Sequence, residues 1–264
     1  MMSKGTGGRR LLVAVLATAT CLALGASEKA RAVGEAAEPE GPAGGAADEE
    51  IFTIAVMGDS FADGIWGGLY RRLQRDPKFE ILRLAKNSTG LARPDYYDWQ
   101  AVLEDVLADH QVDAAIVALG INDNQELYVD GRRRYLFATE EWDRLYRERV
   151  EALMGRLVEA EVPTFWIGLP AMRDDELSGE VSHLNVIFED CAGEIGVTFI
   201  PTWAATVDEE GEFASHLKDE DGRPTPIRMN DGVHFTGQGY TMLTTLVLEV
   251  MRGELAVFAA DEAS

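Results

Sequence analysis

The chain has little cysteine, little histidine and little positive charge, and each shortage removes a class of function. Only Cys21 and Cys191 occur in 264 residues. A leader cleaved beyond Cys21 would leave a single thiol, so no internal disulfide framework is expected. Cys191 lies in an apolar helical pattern and reads as core packing. Four histidines and two cysteines are too sparse for a zinc set, and neither a metal nor another cofactor is expected. Lys and Arg number 24 against 46 Asp and Glu, for a formal net charge of −22. Such a surface repels phosphate backbones, so nucleic acid is not an expected partner. The charge is read as a solubility device rather than a substrate preference. The basic run Arg132-Arg133-Arg134 reads as a solvated loop.

Long apolar runs are also missing. Lys4, Arg9 and Arg10 precede an uncharged stretch, Leu11 to Leu24, followed by small residues at Gly25, Ala26 and Ser27. That is a secretory signal pattern over residues 1–27, and it predicts a periplasmic or otherwise exported protein. The stretch is shorter than the ~20 residues that span a bilayer. An uncleaved anchor remains the alternative, with membrane attachment through the N-terminus only. Residues 28–50 are rich in Ala, Gly, Glu and Pro without apolar periodicity, and read as a flexible linker. Residues 51–264 form one expected domain, without internal repeats, and the acidic end Asp261-Glu262-Ala263-Ser264 reads as frayed.

Within that domain, apolar runs predict strands at Ile51–Met57, Phe79–Leu84, Ala114–Leu119, Thr164–Gly168 and Val197–Ile200. Helical spacing predicts helices at Phe61–Arg75, Trp99–Leu107, Trp142–Ala160, Leu184–Ile195 and Gly239–Val250. Strands alternating with helices imply crossovers and a mainly parallel sheet covered on both faces. In such a sheet, ligands bind beyond the carboxyl ends of the strands. Reactive residues that follow strands are therefore the ones to weigh.

Ser60 follows the first strand in Met57-Gly58-Asp59-Ser60 and heads a helix, where N–H groups would favour a developing oxyanion. Taken alone, that serine reads as a helix N-cap. A nucleophilic serine needs a base, itself oriented by a third group. His234 lies in Asn230-Asp231-Gly232-Val233-His234-Phe235-Thr236, just before the last helix. Asp231, three residues earlier, can accept from its Nδ1 while Nε2 faces outward. Gly120-Ile121-Asn122-Asp123 follows the third strand, and Asn122 offers a carboxamide donor; a plain turn is the other reading. Gly90, in Asn87-Ser88-Thr89-Gly90, follows the second strand and offers a backbone N–H.

Serine, glycine, asparagine and a terminal Asp-x-x-His in that order resemble the SGNH (GDSL-like) hydrolase superfamily across Ile51 to about Met251. Gly58-Asp59-Ser60, Gly90, Gly120-x-Asn122-Asp123 and Asp231-x-x-His234 match its four blocks. The stretches Ala92-Arg93-Pro94-Asp95-Tyr96-Tyr97-Asp98-Trp99, Asn122-Asp123-Asn124-Gln125 and Gly168-Leu169-Pro170 resemble a bacterial periplasmic branch of it, long filed as a domain of unknown function. The order differs from α/β-hydrolases, whose serine sits mid-chain in Gly-x-Ser-x-Gly. The first block lacks the apolar lead of the superfamily's secreted lipases, which turns the expectation away from lipid.

The resemblance implies a flavodoxin-like α/β/α sandwich with a five-stranded, mainly parallel sheet. It implies a Ser60–His234–Asp231 triad and an oxyanion hole from Ser60 N–H, Gly90 N–H and the Asn122 amide. Asp59 is expected to be structural. Arg93, Tyr96, Tyr97 and Trp99 either border a sugar-binding pocket or belong to the core. The expected function is an exported esterase acting on an acyl, expectedly acetyl, ester of a small molecule or cell-envelope glycan. An O-acyltransferase using the same acyl-enzyme and a non-catalytic envelope-binding module are the alternatives.

Overall fold

The computed structural model describes residues 51–219 and 221–258. The leader, the linker and the frayed end expected from the sequence lie outside the described residues.

In chain order the elements are β1 (Phe52–Gly58), α1 (Ser60–Leu73), β2 (Phe79–Ala85), α2 (Trp99–Asp109) and β3 (Ala114–Ala118). The short strands β4 (Leu127–Val129) and β5 (Arg133–Tyr135) follow, then α3 (Glu140–Glu159), β6 (Thr164–Ile167), α4 (Asp175–Ile195) and β7 (Thr198–Ile200). The chain then forms β8 (His216–Lys218), β9 (Pro224–Pro226) and α5 (Gly237–Glu254).

Five strands make one parallel sheet in the order β2-β1-β3-β6-β7. Helices α1 and α5 pack together on one face, while α3 packs with α2 and α4 on the other. This is the three-layer sandwich expected. β1 and β3 are all but fully buried, as a strand covered on both faces should be, which explains their continuous apolar runs. Trp142, Tyr146, Trp166 and Phe188 fill the α3–α4 side, with Trp142 stacked on Tyr146 at 4.6 Å.

Two expectations need correction, and one element was not expected. Helix α4 begins at Asp175, not Leu184, because Asp174 caps it through Leu177 N at 2.9 Å and its first turns are largely solvent-facing. The arginine run is not all loop: Arg133 and Arg134 lie in β5, which pairs antiparallel with β4, and Arg134 forms an ion pair with Glu126. A second hairpin, β8–β9, has no counterpart in the sequence reading. Each of these hairpin strands has only three residues, and in all but β4 most side chains are exposed, so no apolar pattern announces it.

The strand order reverses between β1 and β3: β2 lies to one side of β1, and β6 and β7 lie beyond β3. Crevices open at such a reversal, at the carboxyl ends of the strands. Ser60 follows β1 and Asn122 follows β3, so the fold places both at that crevice.

Candidate active site

At the end of β1, Asp59 rather than Ser60 caps helix α1, accepting from Phe61 N at 2.9 Å. The N-cap reading of Ser60 is therefore corrected: Ser60 is the first helical residue, and its N–H belongs to the unpaired donors of the helix head. Asp59 is fully buried and also accepts from Gly120 N at 3.3 Å and, weakly, from Asn122 Nδ2 at 3.5 Å. One carboxyl thus ties the turn after β1 to the turn after β3. Burial pushes its pKa up to about 7, opposed by the N–H of Phe61 and reinforced by the neighbouring Asp123 charge.

His234 reaches Ser60 from the far end of the chain. Its Nε2 lies 2.8 Å from Ser60 Oγ, and its Nδ1 lies 2.8 Å from Asp231 Oδ2. An ionised carboxylate can only accept, so Nδ1 carries the hydrogen and Nε2 is left to accept from the serine hydroxyl. The other Asp231 oxygen accepts from Val233 N and His234 N, both at 2.9 Å. Partial burial pushes the Asp231 carboxyl up, but these three donors outweigh it and hold the group at about 2. The side chains of His234 and Asp231 are 38% and 49% exposed, so the pair is open to solvent from one side.

The turn after β2 joins the site through Asn122. Its Nδ2 donates to Thr89 O at 2.9 Å, which leaves the second hydrogen with only the long contact to Asp59. Gly90 lies against Asp123, and a Cβ there would sit 2.1 Å from Asp123 Oδ1. Asp123 is itself fully buried and accepts from Leu91 N (2.8 Å), Ala92 N (2.7 Å) and Tyr146 hydroxyl (2.7 Å). Burial raises its pKa against the pull of those donors. Asn122-Asp123 stands out in the sequence as a motif, but the anchoring of the Gly90 turn by Asp123 does not. The signal was weak, since it depends on Tyr146 in a helix further along.

The structure therefore brings together Ser60, His234, Asp231, Asn122 and the Gly90 turn. The four residues expected at a pocket wall divide. Tyr97 and Trp99 line a cleft of about 210 Å³ that also touches Gly90, Pro94, Leu145 and Arg149. Trp99 is at the same time a core side chain, 1% exposed, with its indole N–H on Thr89 Oγ1 at 3.2 Å. Arg93 and Tyr96 do not line that cleft: Arg93 makes a two-pronged pair with Asp95, and Tyr96 is 60% exposed. A larger groove of about 710 Å³, between the β8–β9 hairpin and α5, touches none of Ser60, Asp231 and His234. Among the described residues, no group of three or more His, Cys, Asp or Glu side chains is gathered to hold a metal ion.

Solved structures share this architecture. An acetyl xylan esterase matches at a TM-score of 0.55 and 15% identity, covering 75% of this chain and 99% of its own. A GDSL-like lipase from Bacteroides thetaiotaomicron VPI-5482 matches at 0.54 and 14% identity, covering 77% of this chain and 89% of its own. A mutant of an acetyl-xylooligosaccharide esterase from Geobacillus Stearmophilus matches at 0.52 and 15% identity, covering 76% and 94%. At these identities the likeness is one of fold, and the fold is that of the SGNH hydrolases. A family model described as "Protein of unknown function (DUF459)" matches residues 53–250, and the chain belongs to that family. No curated protein matches it in sequence.

Proposed function

We propose that the protein is a serine ester hydrolase with Ser60 as nucleophile, His234 as base and Asp231 as the group that orients it. The observation that carries this reading is the unbroken pair of 2.8 Å hydrogen bonds from Asp231 through His234 to Ser60 at the head of α1. Ser60 Oγ attacks the ester carbonyl as Nε2 takes its proton. The carbonyl oxygen becomes an oxyanion facing the Ser60 and Gly90 N–H groups and the Asn122 amide. Collapse of that intermediate breaks the bond to the alcohol, which leaves with the proton from His234. Water, deprotonated by the same imidazole, then releases the acid and regenerates the serine.

The substrate we propose is an acetyl ester on a cell-envelope carbohydrate. Two fold neighbours whose names specify acetylated xylan or xylooligosaccharide support it, as do the Tyr97 and Trp99 rings in the cleft beside Gly90. Export to the periplasm is the matching proposal, resting on the basic and apolar pattern of residues 1–27.

The test is acetate release from p-nitrophenyl acetate and from O-acetylated cell-wall glycan, run beside Ser60→Ala. Turnover of both that disappears in the variant supports the reading. Turnover of the nitrophenyl ester alone keeps the hydrolase and overturns the glycan. No turnover by folded wild type overturns both.

A further inference from the structure

The loop that carries Asp231 and His234 is held by two arginines that take no part in the proton transfers. Arg228 stands at one end of the loop and bridges Phe235 at the other through the main chain, while Met229 N donates to His234 O at 2.8 Å. Arg228 is only 5% exposed. Its Nη1 donates to Val233 O at 3.1 Å, and its Nη2 donates to Ala171 O in the loop after β6. Phe235 and Phe213 flank the guanidinium, with ring centroids 3.9 and 5.0 Å from Cζ. Nε is buried without a partner.

A cation buried among carbonyl oxygens and rings is a costly way to fill space, and a methionine would fill it more cheaply. What the guanidinium adds is a rigid planar fork, with donors at fixed angles that neither Met nor Lys reproduces. One arm holds the carbonyl of the residue before His234. The other ties that carbonyl to the β6 loop.

Arg173 acts on the same loop from outside. Its Nη1 donates to Asn230 O at 2.6 Å, and its Cζ lies 5.3 Å from the Phe213 ring. Gly232 has φ +75°, and a Cβ there would sit 2.5 Å from Arg173 Cβ, so the loop lies directly against this side chain. Asn230 precedes Asp231 and Val233 precedes His234, so the two arginines hold the carbonyl just ahead of each of these triad residues.

We propose that Arg228, with Arg173 as a second strut, is a positioning residue that fixes the His234 imidazole against Ser60 through the Val233 and Asn230 carbonyls. The inference rests on the serine hydrolase reading. Loss of the strut lets the Val233 peptide turn, and the His234 amide that binds Asp231 turns with it. The misplacement falls on proton transfer more than on substrate binding.

The test uses Arg228→Met, Arg228→Lys and Arg173→Ala. Two readings are taken: kcat and KM on p-nitrophenyl acetate, and the downfield proton NMR signal of the His234 Nδ1–H. Misplacement of about 1 Å costs on the order of 100-fold in rate. A fall of that order in kcat for both Arg228 variants, with KM within about twofold and the proton signal shifted or broadened, is the expected result. Arg173→Ala, at an exposed position, falls less and in the same direction. Failure of Lys to rescue marks the fork, not the charge. Folded variants that keep wild-type kcat and an unchanged signal overturn the proposal. Should Arg228→Met fail to fold, Arg228→Lys and Arg173→Ala decide by the same readings. If wild type has no esterase activity the serine hydrolase reading fails, while the proton signal still reports whether the arginines hold the imidazole.

Discussion

His234 Nε2 and Ser60 Oγ are 174 positions apart in the sequence and 2.8 Å apart in the fold. Nothing local brings them together. Ser60 stands where it does because β1 is a central strand, and His234 because the loop ahead of α5 lies over the same sheet edge, with α5 packed on α1. Phe61 and Phe235, the residues that follow each of them, meet with ring centroids 6.0 Å apart. The core therefore sets the distance between Ser60 and His234.

Asp231→Asn tests the orienting carboxylate. An amide can present N–H where the carboxylate accepts, favouring the wrong imidazole tautomer, and kcat should fall by about 10⁴-fold with the fold intact. The carboxyl is held down at about 2, below its unfolded value. Its stability contribution is therefore fully present above the unfolded pKa and is lost as pH falls through about 2. Urea unfolding between pH 2 and 5 should show the wild type losing more stability than Asp231→Asn; parallel curves contradict the assignment.

Asp59 has the opposite sign. Burial raises its folded pKa to about 7, so its contribution is fully present below the unfolded pKa and is lost as pH rises through about 7. Wild type should lose roughly 2–4 kcal/mol from this group between pH 4 and 8, while Asp59→Asn should show a flatter profile. Chemical unfolding across that range reads the difference in slope, which is insensitive to any fixed cost of the amide.

Gly90→Ala should damage activity and stability together. The added Cβ meets an Asp123 oxygen already held by Leu91 N, Ala92 N and the Tyr146 hydroxyl. The Gly90 turn must yield, taking its N–H away from the oxyanion at a cost of about 10²–10³-fold in kcat. Gly155→Ala is the control, since a Cβ there meets nothing within 4 Å. Steady-state kinetics and melting curves of the two variants should separate clearly.

The aromatic residues after Gly90 should divide in the same way. Trp99→Ala removes a buried indole and should cost about 3–5 kcal/mol. Tyr96→Ala, at an exposed ring, should stay within about 0.5 kcal/mol of wild type. Equal losses in a denaturant titration would contradict their placement.

Much of this was legible because the sheet is parallel and buried. Runs such as Ala114–Ala118 announce a strand without help from neighbours, and residues following such strands fall at one edge by topology. Asp231 and His234 share one short loop, so their pairing was visible in spacing alone. Asp123, Tyr146 and Arg228 were not visible in that way. Their importance comes from burial and from partners on other elements, and no local pattern in the sequence carries that information. Trp99 looked like a candidate wall residue because aromatic side chains suit both sugars and cores; its burial at the start of α2 puts it in the core as well as the cleft. The β4–β5 and β8–β9 hairpins leave no such signal because strands of three residues are too short to show a period.

The central claim is that His234 activates Ser60, and fluorophosphonate labelling followed by intact-mass and peptide analysis tests it most directly. One adduct per chain, located on Ser60, formed by wild type and slowed by at least about 100-fold in His234→Ala, is the predicted result. Labelling elsewhere, or equal rates in wild type and His234→Ala, would contradict it.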